Sequence, residues 1–163
     1  MVLASRQCLP ANLYLKQTKE SIVKILVALD GSDTSIRALR YVIEHRDVFG
    51  ASPDLLLVHV HMPIPTPRAE ALLSTAVIKQ YYKEESEEVL APARLMLAGT
   101  PGRVEELPLV GEPAGQIIAA AQEHGCDMIL MGTHGRSAIG NFFLGSVAMR
   151  VIAASPTPVL SVK

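Results

Sequence analysis

The chain has 163 residues, of which 49% are apolar and only 4% aromatic, and its formal net charge is -1. That length suits one domain with a buried core, and an aliphatic, aromatic-poor composition suits central strands covered on both faces. The charge balance excludes nonspecific nucleic-acid binding, which needs a cationic surface, and no apolar run approaches the ~20 residues that span a bilayer.

Residues 1–21 read as a tail, without the continuous apolar stretch and small-residue cleavage site of a secretory signal. The two cysteines, Cys8 and Cys126, form no CxxC and lie near no histidine at zinc-finger spacing. Free thiols and a cytoplasmic setting are the expectation. Residues 22–163 read as the domain. Within it, 22–29 (IVKILVAL) is an apolar, β-branched run and predicts a buried parallel strand. Asp30, Gly31, Ser32 and Asp33 are turn and N-cap residues. A helix follows on Ile36, Leu39 and Ile43 and fades by Asp47. After Gly50, Ser52 and Pro53 comes a second strand, 55–60 (LLLVHV).

Three prolines make 62–67 a loop, and 68–97 reads as helical, with Pro92 expected to kink or split it. The acidic run Glu84, Glu85, Glu87 and Glu88 reads as a solvated helix face. A weaker, alternating segment, 104–110, predicts a strand nearer an edge. Gly111, Glu112 and Pro113 open a helix, with Pro113 in the first turn where its missing N–H is harmless. Its stripe is Ala114, Ile117, Ile118 and Ala121, and His124-Gly125 ends it. Residues 127–131 (DMILM) predict a fourth buried strand, followed by a glycine-punctuated loop to Gly145. Leu144, Val147, Ala148, Val151 and Ile152 sit at helical spacing, and 159–162 (VLSV) is a last short strand after Pro156 and Pro158. Strands alternating with helices imply a single open five-stranded parallel sheet, α/β in class, with helices on both faces. Ligands of such sheets bind beyond the strands' carboxyl ends, where the strand order reverses. Asp30 and Gly132 stand at two such ends.

The functional signal is the loop after the fourth strand, Gly132-Thr133-His134-Gly135 and then Gly145-Ser146, in the pattern G-x2-G-x9-G-S. Gly132 and Gly135 permit positive φ and close backbone approach to a ligand. Gly145 and Ser146 put backbone N–H groups at a helix N-terminus, a site for anionic oxygens. In this strand–loop–helix setting the spacing resembles the nucleotide-binding signature of the universal stress protein family. The resemblance extends to ILVALDGSDTS, LLLVHV, VGEPAGQII and PTPVLSV, and so covers 22–163.

The resemblance implies a Rossmann-like fold of the adenine nucleotide alpha hydrolase-like kind, and ATP with Mg2+ as the ligand. On that likeness Asp30 contacts the nucleoside, while Ala28, Leu29 and Val60 border the adenine. Met131, Gly132, His134 and Gly135 lie along the nucleotide, and Gly145, Ser146, Val147 and Ala148 meet the phosphates. Ala148 supplies no hydroxyl to them. The likeness also implies a homodimer through residues 159–162, and an apolar edge strand favours such pairing physically.

Asp30 could also serve as a helix cap, but Ser32 and Asp33 are better placed for that. His59 and His61 stand at i, i+2 with no third metal ligand near them in sequence, so a structural role is expected for both. Cys126 reads as a buried small hydrophobe, and Met128 and Met131 as core or site wall. No Walker lysine is present. Arg136 can reach phosphate and Asp30 or Asp33 can hold Mg2+, yet no carboxylate pairs with Arg136 to activate water. A nucleotide-dependent switch or binding module in a stress response, with little or no hydrolysis, is therefore expected. A slow ATPase and a non-nucleotide dimeric interaction protein of the same fold are the alternatives, each with an unidentified protein partner.

Overall fold

The computed structural model describes residues 22–50, 52–64, 74–135 and 144–163. Five parallel strands, β1 (Lys24–Ala28), β2 (Asp54–His61), β3 (Val104–Val110), β4 (Met128–Gly132) and β5 (Val159–Val162), form one sheet in the order β3-β2-β1-β4-β5. Four helices connect them: α1 (Asp33–Glu44), α2 (Thr75–Met96), α3 (Pro113–Glu123) and α4 (Ser146–Ala154). A 3-10 turn, Arg46–Val48, follows α1.

Alternation along the strands divides the core in two. Ile25, Val27, Leu29, Leu55 and Leu57 face α1 and α2 and pack with Ala38, Leu39, Val42, Val89 and Ala93. Leu26, Ala28, Leu56, Val58 and Ile129 face α3 and α4 and pack with Ile117, Ala121, Ala148 and Val151. Each central strand is thus apolar on both sides, which explains the unbroken hydrophobic runs.

Several expectations shift in detail. The buried stripe of α1 is Ser35, Ala38, Leu39 and Val42, with Ile36 and Ile43 only half-buried. Helix α2 runs through Pro92 without splitting. Pro92 and Glu88, whose carbonyl loses its usual donor, both lie on the exposed side, so water can satisfy the freed oxygen. The expected helical residues before Ser74 lie outside the described residues, as do residues 1–21 with Cys8. Strand β3 is the sheet edge and accommodates Pro108 opposite His59, as an edge allows. Cys126 is buried, and burial pushes its thiol pKa up.

The strand order reverses between β1 and β4. Chain leaving β1 turns one way to α1, chain leaving β4 the other way to α4, and a crevice opens between them.

Candidate functional site

At the carboxyl ends of β1, β2 and β4 lies a cavity of about 490 Å3, within the range of small-molecule sites. Ala28, Val58, Val60 and Met131 supply an apolar wall from the strands, and Pro113 and Ile117 another from α3. Leu29, Asp30 and Ser35 border it at the exit of β1. Opposite them stand Gly132, Thr133, His134 and Gly135, then Leu144 and the first turn of α4 from Gly145 to Met149.

The exit of β1 is held by its own side chains. Ser32 caps α1, its hydroxyl accepting from the Ser35 N–H. The Ser32 N–H and Oγ both donate to Asp30 Oδ1, at 3.0 and 2.6 Å. One carboxylate oxygen of Asp30 is therefore committed to the turn. The other, Oδ2, lies only 2.7 Å from where a Cβ on Gly135 would stand. Thr34 Oγ1 donates to the carbonyl of His134, which ties α1 to the loop leaving β4. His134 Nδ1 meets Thr133 Oγ1 at 2.9 Å.

The glycines act differently from the expectation. Neither Gly132 nor Gly135 has positive φ. A Cβ on Gly132 would sit 2.7 Å from Thr34 C and 2.8 Å from Ser35 N, so this glycine admits the N-terminus of α1 against β4. Gly135 admits the Asp30 carboxylate in the same way. Close approach is indeed what both provide, but the groups approaching are the chain's own.

Gly145 is the N-cap of α4 and no side chain caps that helix. Its N–H donates to the Thr133 carbonyl at 2.6 Å, joining the two ends of the loop. The first intrahelical bond is Met149 N–H to Gly145 O, which leaves the N–H groups of Ser146, Val147 and Ala148 without an intrahelical acceptor. Beside them Glu112 caps α3 through the Ala114 and Gly115 N–H groups and accepts from Arg150 of α4 at 2.7 Å. The Gly115 N–H foremost, with the Ala114 N–H and the Arg150 charge, outweighs burial and holds the Glu112 carboxyl below its ordinary pKa.

Every candidate residue within the described part lines this one cavity: Ala28, Leu29, Asp30, Val60, Met131, Gly132, His134, Gly135, Gly145, Ser146, Val147 and Ala148. Arg136 lies outside the described residues. The sequence reading missed Val58, which the two-residue period of β2 places on the same face as Val60. It also missed Pro113 and Ile117, one helical turn apart on α3, and Ser35, for which no local signal exists.

The other face of β2 departs from expectation. His59 and His61 are both buried, and a third potential ligand does lie beside them. Glu85 of α2 turns away from its solvated neighbours, and His61 Nδ1 donates to its Oε2 at 2.9 Å. Burial pushes the Glu85 carboxyl up, but the hydrogen bond and charge of His61 hold it net below its ordinary pKa. The acidic run is thus not one solvated face. Glu84 accepts from Gln80, Glu87 from Arg94, and Glu85, half-buried, turns toward His61.

A sequence model of the Universal stress protein family matches residues 22–163. A universal stress protein of Thermus aquaticus is 40% identical over 139 residues, covering 85% of this chain and 97% of the relative. The structure of hypothetical protein MJ0577, from Methanocaldococcus jannaschii, superimposes with a TM-score of 0.74 at 30% identity, covering 87% of this chain and 96% of that one. The universal stress protein of Archaeoglobus fulgidus in complex with dAMP superimposes with a TM-score of 0.60 at 27% identity, over 86% of this chain and 98% of that one. The chain belongs to the universal stress protein family.

Proposed function

We propose that this universal stress protein binds an adenine nucleotide, ATP with Mg2+, in the cavity between β1 and β4, and acts as a nucleotide-dependent binding module. The observation that carries the reading is the uncapped first turn of α4 at one end of a cavity with apolar walls from the strands and from α3. Such a turn offers N–H donors and the positive end of a helix dipole to an anion. A flat aromatic base fits the apolar walls, and a phosphate tail fits the helix end. The dAMP complex of the Archaeoglobus relative supports the choice of base.

In this reading Ala28, Val60 and Met131 flank the base. Asp30 Oδ2 accepts from a sugar hydroxyl, its Oδ1 being held by Ser32. The N–H groups of Ser146, Val147 and Ala148 receive phosphate oxygens. A divalent ion bound with the phosphates would supply charge neutralisation. Among the described residues no carboxylate other than Asp30 lines the cavity, so binding rather than turnover is the chemistry these residues support.

Titration calorimetry with Mg-ATP, ADP, AMP and GTP tests the reading. Saturable binding of the adenine nucleotides at one per chain, with ATP tightest and GTP much weaker, is expected. No heat and no thermal shift with any of them would overturn it. We place self-association at β5, the outer strand on its side of the sheet, where a second copy can pair edge to edge. Sedimentation should then give a dimer that Ser161→Pro dissociates, because the register with β4 turns the Ser161 N–H to the open edge.

A further inference from the structure

We propose that His59, His61 and Glu85 form a binding site for a first-row transition cation, Zn2+ in the first instance, on the face of β2 opposite the nucleotide cavity. The ligand atoms that these three side chains offer all lie within 4.8 Å of one another. Tetrahedral zinc with bonds of about 2.0–2.2 Å to nitrogen and oxygen sets its ligand atoms about 3.4 Å apart, so the 2.9 Å side between His61 and Glu85 opens slightly and the widest side closes around the ion. The rings of His59 and His61 stand 4.4 Å apart, nearly perpendicular. Two neighbouring positions on the same strand face carry leucine, Leu55 and Leu57. Burying two imidazoles and drawing in a carboxylate where the strand otherwise places aliphatic groups is costly unless polar partners or a cation compensate.

The surrounding hydrogen bonds set the tautomer that a metal requires at His59 and permit it at His61. His59 Nδ1 lies 2.7 Å from the Leu29 carbonyl. A carbonyl only accepts, so Nδ1 carries the proton and Nε2 the lone pair. Metal-bound histidines are oriented in this way, through the other ring N–H and a backbone carbonyl. His61 Nε2 lies 2.6 Å from Ser86 Oγ and its Nδ1 2.9 Å from Glu85 Oε2. Without a cation Nδ1–H donates to Glu85 and Nε2 accepts from Ser86 Oγ; a cation takes the place of the Nδ1 proton, which moves to Nε2, where Ser86 Oγ accepts it. Two imidazoles and one carboxylate, with a fourth position for water, is a donor set for Zn2+, Co2+ or Ni2+ and not for Mg2+, which prefers all-oxygen shells. The ion would clasp α2 to the end of β2 and, through His59 and Leu29, brace the exit of β1.

The test uses the full untagged chain without nucleotide, titrated with Co2+ as a visible probe. One equivalent should bind with the intense d–d absorption of a tetrahedral site, be displaced by Zn2+, and resist excess Mg2+. Glu85→Gln and His61→Asn should weaken Co2+ binding by more than the ten- to hundredfold typical of losing an outer-shell partner. Ser86→Ala, a positioning change, should cost about tenfold, and Glu84→Gln should cost nothing. Glu85 is 29% exposed in its side chain, so Glu85→Gln can be read even where His61→Asn fails to fold. Absence of stoichiometric Co2+ binding, or Glu85→Gln binding as the wild type does, would overturn the proposal.

Discussion

The two faces of β2 near its carboxyl end use opposite chemistry on alternate residues. Val58 and Val60 present methyl groups to a cavity, whose anion-binding groups are backbone N–H at a helix terminus, with the Asp30 carboxylate at the exit of β1. His59 and His61, on the other side of the same strand, present ionisable rings to α2 and meet Glu85 and Ser86. A site built from main-chain donors needs glycine and an uncapped helix. A site built from side chains needs them to arrive from separate elements. The comparison teaches that one strand can serve two recognition tasks because its alternation keeps them on different sides of the sheet. His59 links them, its ring bonding the carbonyl of Leu29, a cavity residue.

The largest expected effect breaks the cavity side at its scaffold. Gly132→Val places a Cβ within 2.8 Å of the backbone of Thr34 and Ser35, and backbone there cannot yield without moving α1. A loss of about 3 kcal/mol is expected in urea denaturation, with nucleotide binding lost as well. A stability within about 0.5 kcal/mol of wild type, the range of an ordinary surface change, would show that α1 does not rest on that glycine.

Gly145→Val separates the two faces more cleanly. Its Cβ would stand 3.2 Å from Thr133 O and at ordinary contact distance, 3.5 and 3.7 Å, from His134 Cα and Gly135 N, so the fold should survive with small adjustment. The added methyls occupy space at the first turn of α4, and Mg-ATP binding should vanish while Co2+ binding stays. Normal ATP affinity in this variant would misplace the phosphate end of the site.

Asp30→Ala should weaken ATP binding by about 1–3 kcal/mol, the worth of a hydrogen bond to a charged group and its desolvation. Because Asp30 Oδ1 also holds Ser32, a smaller loss of thermal stability should accompany it. Equal ATP affinities by calorimetry would remove Asp30 from ligand contact and leave it a turn residue.

The smallest effect is in pH dependence. Glu112 and Glu85 are both held below the ordinary carboxylate pKa in the folded chain. Such groups stabilise the fold above the unfolded value of about 4.3. That contribution is lost as pH falls through their lowered folded values. Glu112→Gln should flatten the decline in chemical stability between about pH 5 and pH 3 by at most about 1 kcal/mol, since the pair with Arg150 is exposed. An unchanged pH profile would mean that the cap holds equally well without charge.

What could be read without the fold was local and periodic. The runs 22–29 and 55–60, the helix signals at Ser32 and Pro113, and the spacing from Gly132 to Gly145 all lie within a few residues or one loop. Parallel strands alternating with helices leave few topologies open, so the switch between β1 and β4 was also legible. The cavity residues were named through the family resemblance that the glycine spacing carries, not from that spacing alone. Three things waited for tertiary structure. Gly132 and Gly135 proved to make room for Thr34 and Asp30, groups about a hundred residues away in the chain. Helix α2 passed through Pro92 because the freed carbonyl faced water. Glu85 joined His59 and His61 only because α2 packs on the sheet at the rotation that turns one glutamate of an acidic run inward. A sequence encodes periodicity and turn chemistry in neighbouring residues, whereas the meeting of distant side chains depends on how helices seat on the sheet, and that is set by the sum of the core's contacts.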